Sequence, residues 1–127
     1  VRLLLDTHIL LGFLDNETDR FPAAIRDLIA DPESRFFVSV ASLWEAAIKF
    51  RLGKLPLRRG PESMPGAVRD LGFELIAINE HHAVAEVSPE PVTRDPFDRL
   101  LLAQCLVEGL RLVTVDRALV GHRLAAV

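Results

Sequence analysis

The chain alternates short apolar runs with longer stretches whose apolar positions recur at helical spacing. Arg2 to Leu5 is an apolar run ending at Asp6-Thr7, which predicts a buried strand with a polar exit. His8 to Leu14 predicts a first helix, broken around Asp15-Asn16. Pro22 suits the first turn of a second helix reaching Ala30, with Ile25, Leu28 and Ile29 inward, and Asp31-Pro32 stops it. Phe36 to Val40 predicts the second strand. Ser42-Leu43-Trp44-Glu45 has the capping-box pattern, with Ser42 as N-cap of a helix running to Gly53. Residues 55–66 hold three prolines and two glycines and predict a loop. A helix through Val68 and Leu71 leads by Gly72 to a third strand, Phe73 to Ile78. Asn79 or Glu80 opens a short helix through Ala83 and Val87, and Ser88 to Thr93 predicts an extended connection. Asp95 reads as an N-cap with Pro96 at the first position of a helix that carries Phe97, Leu100, Leu101 and Cys105 to Gly109. Leu112 to Val115 is the last strand, followed at once by Asp116.

Each strand run is apolar throughout rather than alternating. That predicts an α/β fold of three layers, a mostly parallel central sheet covered by helices on both faces. Such sheets bind ligands outside the carboxyl ends of their strands. Asp6 and Asp116 stand at those ends, Glu45 lies one turn into the helix after the second strand, and Asp95 and Asp98 head another helix. The predicted topology brings all five acids to one edge.

Composition narrows the setting. The 127 residues, half of them hydrophobic, suffice for a single domain spanning residues 1–127 with its own core. The lone cysteine, Cys105, forms no internal bridge and packs in an apolar helix pattern, which fits a reducing cytoplasm. No apolar run approaches the roughly 20 residues of a membrane span, and no signal-peptide pattern opens the chain. A net charge of −3 argues against holding nucleic acid by bulk electrostatics. Lys49, Arg51, Lys54, Arg58 and Arg59, however, fill a window without a single acid, which suits local phosphate contact or simply a solvated face.

Clustered carboxylates repel one another and are costly to bury unpaired. Hard divalent cations such as Mg²⁺ or Mn²⁺ prefer oxygen ligands and relieve that repulsion, and they activate water for attack on a phosphodiester. Each acid also has a purely local reading. Glu45 serves as capping partner of Ser42 or pairs with Lys49 one turn on. Asp95 caps its helix, Asp98 complements the helix dipole, and Asp116 caps a terminal helix. Asp6 has no local capping role of comparable strength. His81 and His82, adjacent in a short helix, read as surface residues. There is no zinc-ligand spacing and no glycine-rich phosphate loop.

Four motifs in order, Leu3-Leu-Leu-Asp6-Thr7-His8, Ser39-Val-Ala-Ser42-Leu-Trp-Glu45-Ala-Ala-Ile-Lys49, Arg94-Asp-Pro-Phe-Asp98-Arg99 and Leu112-Val-Thr-Val-Asp116, together resemble the PIN-domain ribonucleases, and among them the VapC toxins of bacterial toxin–antitoxin pairs. The resemblance runs from the first strand almost to the C-terminus. It implies that Asp6, Glu45, Asp98 and Asp116 form an acidic quartet binding Mg²⁺ or Mn²⁺, with Asp95 as an additional acid. Thr7 and Ser42 match small polar residues beside that site. Lys49 is then assigned to RNA or antitoxin contact, and Arg99 to a phosphate or to a surface ion pair with Asp95 or Asp98. The implied activity is endonucleolytic cleavage of RNA in the cytoplasm by a homodimer. A cognate antitoxin would neutralise it and carry the complex to promoter DNA. One departure is Thr93, where related sequences often have His.

Two other classes fit part of the pattern. A PIN-like nuclease outside a toxin system, in RNA processing or on DNA, needs the same acids. A receiver-type signalling domain also gathers acids around Mg²⁺, but it requires an Asp after its middle strand and a Lys after its last. Asn79-Glu80 and Asp116 stand there instead.

Overall fold

Leu3, Leu4 and Leu5 are fully buried although they point alternately to opposite faces of a sheet, so both faces are covered. A computed structural model describes residues 1–127. Its strands β1 (Arg2–Leu5), β2 (Arg35–Ser39), β3 (Glu74–Ile76) and β4 (Arg111–Val113) form one parallel sheet in the order β3-β2-β1-β4. Six helices accompany them: α1 (Thr7–Leu14), α2 (Ala23–Ala30), α3 (Val40–Arg51), α4 (Met64–Asp70), α5 (Glu80–Val84) and α6 (Pro96–Glu108). On one face Leu3, Leu5, Val38 and Val113 pack with Ile9, Leu10, Ile25, Met64 and Val68 from α1, α2 and α4. On the other, Leu4, Phe37 and Leu112 pack with Leu101, Leu102 and Cys105 of α6. The three-layer α/β architecture expected from the apolar runs is therefore present, and burial pushes the Cys105 thiol up to about 12.

The sheet order changes direction beside β1, which pairs with β2 on one side and β4 on the other. The carboxyl ends of β1 and β4 therefore form the crevice where parallel sheets take ligands. Asp6 and Asp116 flank it.

Several local expectations are corrected. Helix α3 begins at Val40, not at Ser42: Ser39 is both the last residue of β2 and the N-cap, its hydroxyl accepting from Ala41 N at 3.0 Å. The apolar run Phe36 to Val40 hid this boundary because no turn separates strand from helix. Part of the expected loop is ordered, with a 3₁₀ turn at Pro61–Ser63 and α4 starting at Met64, where Pro65 is tolerated in the first turn. After Asp116 there is a turn rather than a helix, with the Asp116 carboxylate accepting from Ala118 N at 2.9 Å. His82 is buried, not a surface residue. Its Nδ1 accepts from Asn79 N at 3.1 Å in a capping box, and its Nε2 lies 2.9 Å from Glu108 of α6.

Gly12 allows the closest approach within the first face. A Cβ there would stand 2.2 Å from Phe21 Cζ, and Phe21 in turn contacts Phe13, ring centroids 6.3 Å apart. Gly12→Ala should gain helix propensity of about 1 kcal/mol but lose about 1–3 kcal/mol to overpacking. The expected result is a lower urea midpoint at unchanged slope.

Candidate active site

Asp6 directly follows β1 and caps α1: its backbone amide donates to Val113 O of β4 at 3.0 Å, and its Oδ1 accepts from Thr7 N at 2.7 Å. Asp6, expected to have no local capping role of comparable strength, is thus the N-cap of α1. Its other oxygen, Oδ2, accepts the Thr114 hydroxyl at 2.6 Å. Burial pushes the Asp6 carboxyl above its ordinary range. The two hydrogen bonds oppose that, and the charges of Glu45 and Asp116 add to it.

Glu45 comes from the second turn of α3 and is 5% exposed. Its Oε1 accepts the Thr7 hydroxyl at 2.6 Å and its Oε2 accepts from Lys49 Nζ at 2.9 Å, one turn on. The i,i+4 ion pair expected from the sequence forms, and the bond to Ser42 does not. Ser42 Oγ is buried without a hydrogen-bond partner and does not line the cleft, so its expected place beside the substrate is not where the helix puts it. The hydrogen bond to Glu45 holds the Lys49 ammonium above its ordinary pKa against partial burial, helped by the charges of Glu45, Asp95 and Asp98.

Asp98 sits in the first turn of α6 and is 7% exposed. Its Oδ2 accepts the Thr93 hydroxyl at 3.1 Å, and Thr93 Oγ1 accepts from Asp95 N at 3.1 Å. Burial first, then the Asp95 charge, push the Asp98 carboxyl up to about 7. Asp95 caps α6 through Phe97 N at 2.9 Å, as expected, and its side chain is half-buried. Arg99 pairs instead with Glu90 at 2.6 Å and donates to the carbonyls of Thr93 and Pro91. That correction follows from the extended 88–93 segment, which folds back along α6 and takes the guanidinium away from the acids.

These side chains meet in one cleft of about 450 Å³ lined by Asp6, Thr7, His8, Leu11, Glu45, Lys49, Lys54, Leu55, Asp95, Asp98, Val115 and Asp116. All five predicted acids, Thr7 and Lys49 are there; Ser42 and Arg99 are not. The sequence reading missed Thr114 and the role of Thr93. Three threonine hydroxyls, from Thr7, Thr93 and Thr114, each donate to one buried acid. The available signal was the spacing Thr114-Val-Asp116 at the end of β4, which puts hydroxyl and carboxylate on the same side of the chain.

The donor set is made of hard oxygens and carries more negative charge than Lys49 offsets, so it fits a hard divalent cation. No three of the His, Cys, Asp and Glu side chains are drawn close enough together to form a finished cage.

A family model described as PIN domain matches residues 3–122. No curated protein matches the chain in sequence. The fold is similar to that of VapBC2 from Rickettsia felis bound to a DNA fragment from its promoter, at TM-score 0.64 and 14% identity, covering 98% of this chain and 96% of that one. A toxin–antitoxin complex from Klebsiella pneumoniae matches at TM-score 0.63 and 18% identity over 98% and 96% of the two chains. DNA-bound VapBC from Salmonella typhimurium matches at 0.64 and 19%, over 98% and 95%. At such identities the likeness is one of fold.

Proposed function

The chain belongs to the PIN domain family, and on that premise we propose that it is a metal-dependent endoribonuclease, the toxin of a VapBC-type toxin–antitoxin pair. The observation that carries this reading is the meeting of three buried carboxylates from three separate elements, Asp6, Glu45 and Asp98, in one open cleft. Burying them together is unfavourable for the fold alone, as the raised carboxyls of Asp6 and Asp98 record. A bound Mg²⁺ or Mn²⁺ supplies the positive charge that offsets this repulsion and activates water for phosphodiester hydrolysis.

Asp6, Glu45 and Asp98 would hold the cation, directly or through water, and Asp116 and Asp95 would complete the acidic wall. Asp98 Oδ1 and Asp116 Oδ2 take no hydrogen bond within the protein. Thr114 and Thr93 fix the carboxylates of Asp6 and Asp98, and Thr7 with Lys49 fixes Glu45. Lys49 and Lys54 face the cleft and would meet substrate phosphates.

The partners follow from the same reading: a homodimer in the cytoplasm, a cognate antitoxin whose tail enters the cleft, and promoter DNA reached only through that antitoxin. No helix is long and apolar enough to cross a membrane. Parallel digests of single-stranded RNA and DNA test the activity. RNA should be cut in Mg²⁺ or Mn²⁺ and spared in EDTA. A preference for DNA would sink the endoribonuclease, and stable phosphorylation by a small phosphodonor would point to a receiver.

A further inference from the structure

Trp44 and Phe97 form an edge-to-face pair, ring centroids 5.7 Å apart and planes at 77°. The pair joins the two helices that carry site acids. Trp44 precedes Glu45 on α3, and Phe97 precedes Asp98 on α6. Trp44 nevertheless stays 61% exposed, and Phe97 is half-buried. A large aromatic surface is thus held rigidly beside the cleft and left open to solvent. Of the nearby cations, Lys49, paired with Glu45, and Lys54 line the adjoining cleft, and Arg51, seven residues after Trp44, is exposed on the same helical face as the indole.

We propose that the Trp44–Phe97 pair is a stacking platform for an unpaired base of the RNA strand whose phosphodiester enters the acidic cleft. The inference rests on the endoribonuclease reading and adds how the strand is gripped. A polyanion approaching this site meets five carboxylates on a chain of net charge −3. Long-range attraction therefore cannot hold it, and the three nearby cations act only at contact. Stacking on an aromatic face is independent of charge and available to every base. It requires a base freed from its helix, so the platform selects single strands and loops.

The rival occupant is a second copy of this chain, laid on the face that Trp44 shares with Ile48 and the exposed Leu52. Arg51, on that same face, would meet its own counterpart in a symmetric contact on this helix, whereas it complements phosphates. Charge therefore favours the nucleic acid.

The chain has one tryptophan and no tyrosine, so its ultraviolet emission reports Trp44 alone. Rapid mixing with an unstructured oligoribonucleotide in Mg²⁺ should quench that emission before cleavage proceeds. The same strand annealed to its complement should quench little. Trp44→Ala should raise KM for the single strand about 5- to 150-fold with kcat near wild type, and Trp44→Phe should recover most of the loss. Thermal melts of both variants confirm folding. RNA cleavage with no quench and an unchanged KM in Trp44→Ala would overturn the platform and leave the nuclease standing. Failure to bind or cut any RNA would overturn the nuclease reading and the platform with it. Emission that shifts to the blue with protein concentration alone, and no longer responds to RNA, would give the surface to a second copy.

Discussion

Asp6→Asn is expected to abolish RNA cleavage while raising the melting temperature of the metal-free protein. The two effects have one cause. Asp6 is 6% exposed, and its charge is opposed by burial and by Glu45 and Asp116. Removing the charge relieves that opposition. The amide can still accept one of the two hydrogen bonds now made by Thr7 N and Thr114 Oγ1, and it loses the other. A lost neutral bond costs about 1 kcal/mol, less than the desolvation of a buried charge, so the balance favours the variant by a few degrees, in the range where about 1 kcal/mol moves Tm by roughly 4 °C. A carboxylate replaced by an amide is a poor ligand for a hard cation. Cleavage should fall by more than about 100-fold, beyond what supporting residues around a metal normally cost. Wild-type Tm should also rise with Mn²⁺, by about 2.7 kcal/mol equivalent at 100 times Kd, and this rise should vanish in Asp6→Asn. A variant that still cuts RNA, or that melts lower than wild type without metal, would show that Asp6 serves the fold rather than the site.

The sheet was readable because strands β1 and β4 are apolar on both faces past their first residue, so Leu3 to Leu5 and Leu112-Val113 could only be interior. Asp6 and Asp116 were readable for the same reason, since each stands where an apolar run gives way, and Asp95 and Asp98 were readable from the Asp-Pro start of a helix. What sequence did not disclose are contacts between residues distant in the chain. Thr114 and Asp6 are 108 positions apart, and Thr7 and Glu45 are 38 apart. No local pattern couples them. Arg99 was drawn toward Asp95 and Asp98 by proximity in sequence, yet the tertiary path of residues 88–93 brings Glu90 to it. His82 was misread for a related cause. Its capping of Asn79 turns the ring inward, toward Glu108 26 residues away. Asp95 shows how local and tertiary roles coincide: it caps α6 as the Asp-Pro pattern requires, and it also lines the cleft.

Asp98 should make the metal-free protein lose stability as pH rises from about 4 to about 7. The unfolded carboxyl releases its proton near 3.8, whereas the folded one holds it up to about 7. Below about 4 both states are protonated and the contribution is flat. Between the two values only the unfolded state has released its proton, so each added pH unit favours unfolding by about 1.4 kcal/mol, and above about 7 the loss is complete. The full span is on the order of 4 kcal/mol, and Asp6 contributes with the same sign. Asp98→Asn isolates the effect from ordinary acid unfolding. The difference in urea midpoint, variant minus wild type, should be near zero at pH 4, positive at pH 7 and constant above it. Adding Mn²⁺ should reverse the wild-type trend, because a cation binds the ionised carboxylate that alkaline pH exposes, and it should leave Asp98→Asn nearly unmoved. Asp95→Asn offers the finer comparison. Asp95 is the second cause of the raised Asp98 carboxyl, so this variant should end the loss at a lower pH and shrink its total without removing it. If it also cost as much cleavage as Asp98→Asn while still folding, the helix cap would itself be a ligand. A pH-independent midpoint difference between Asp98→Asn and wild type would mean that the folded Asp98 carboxyl titrates as it does in the unfolded chain, and would overturn its raised value.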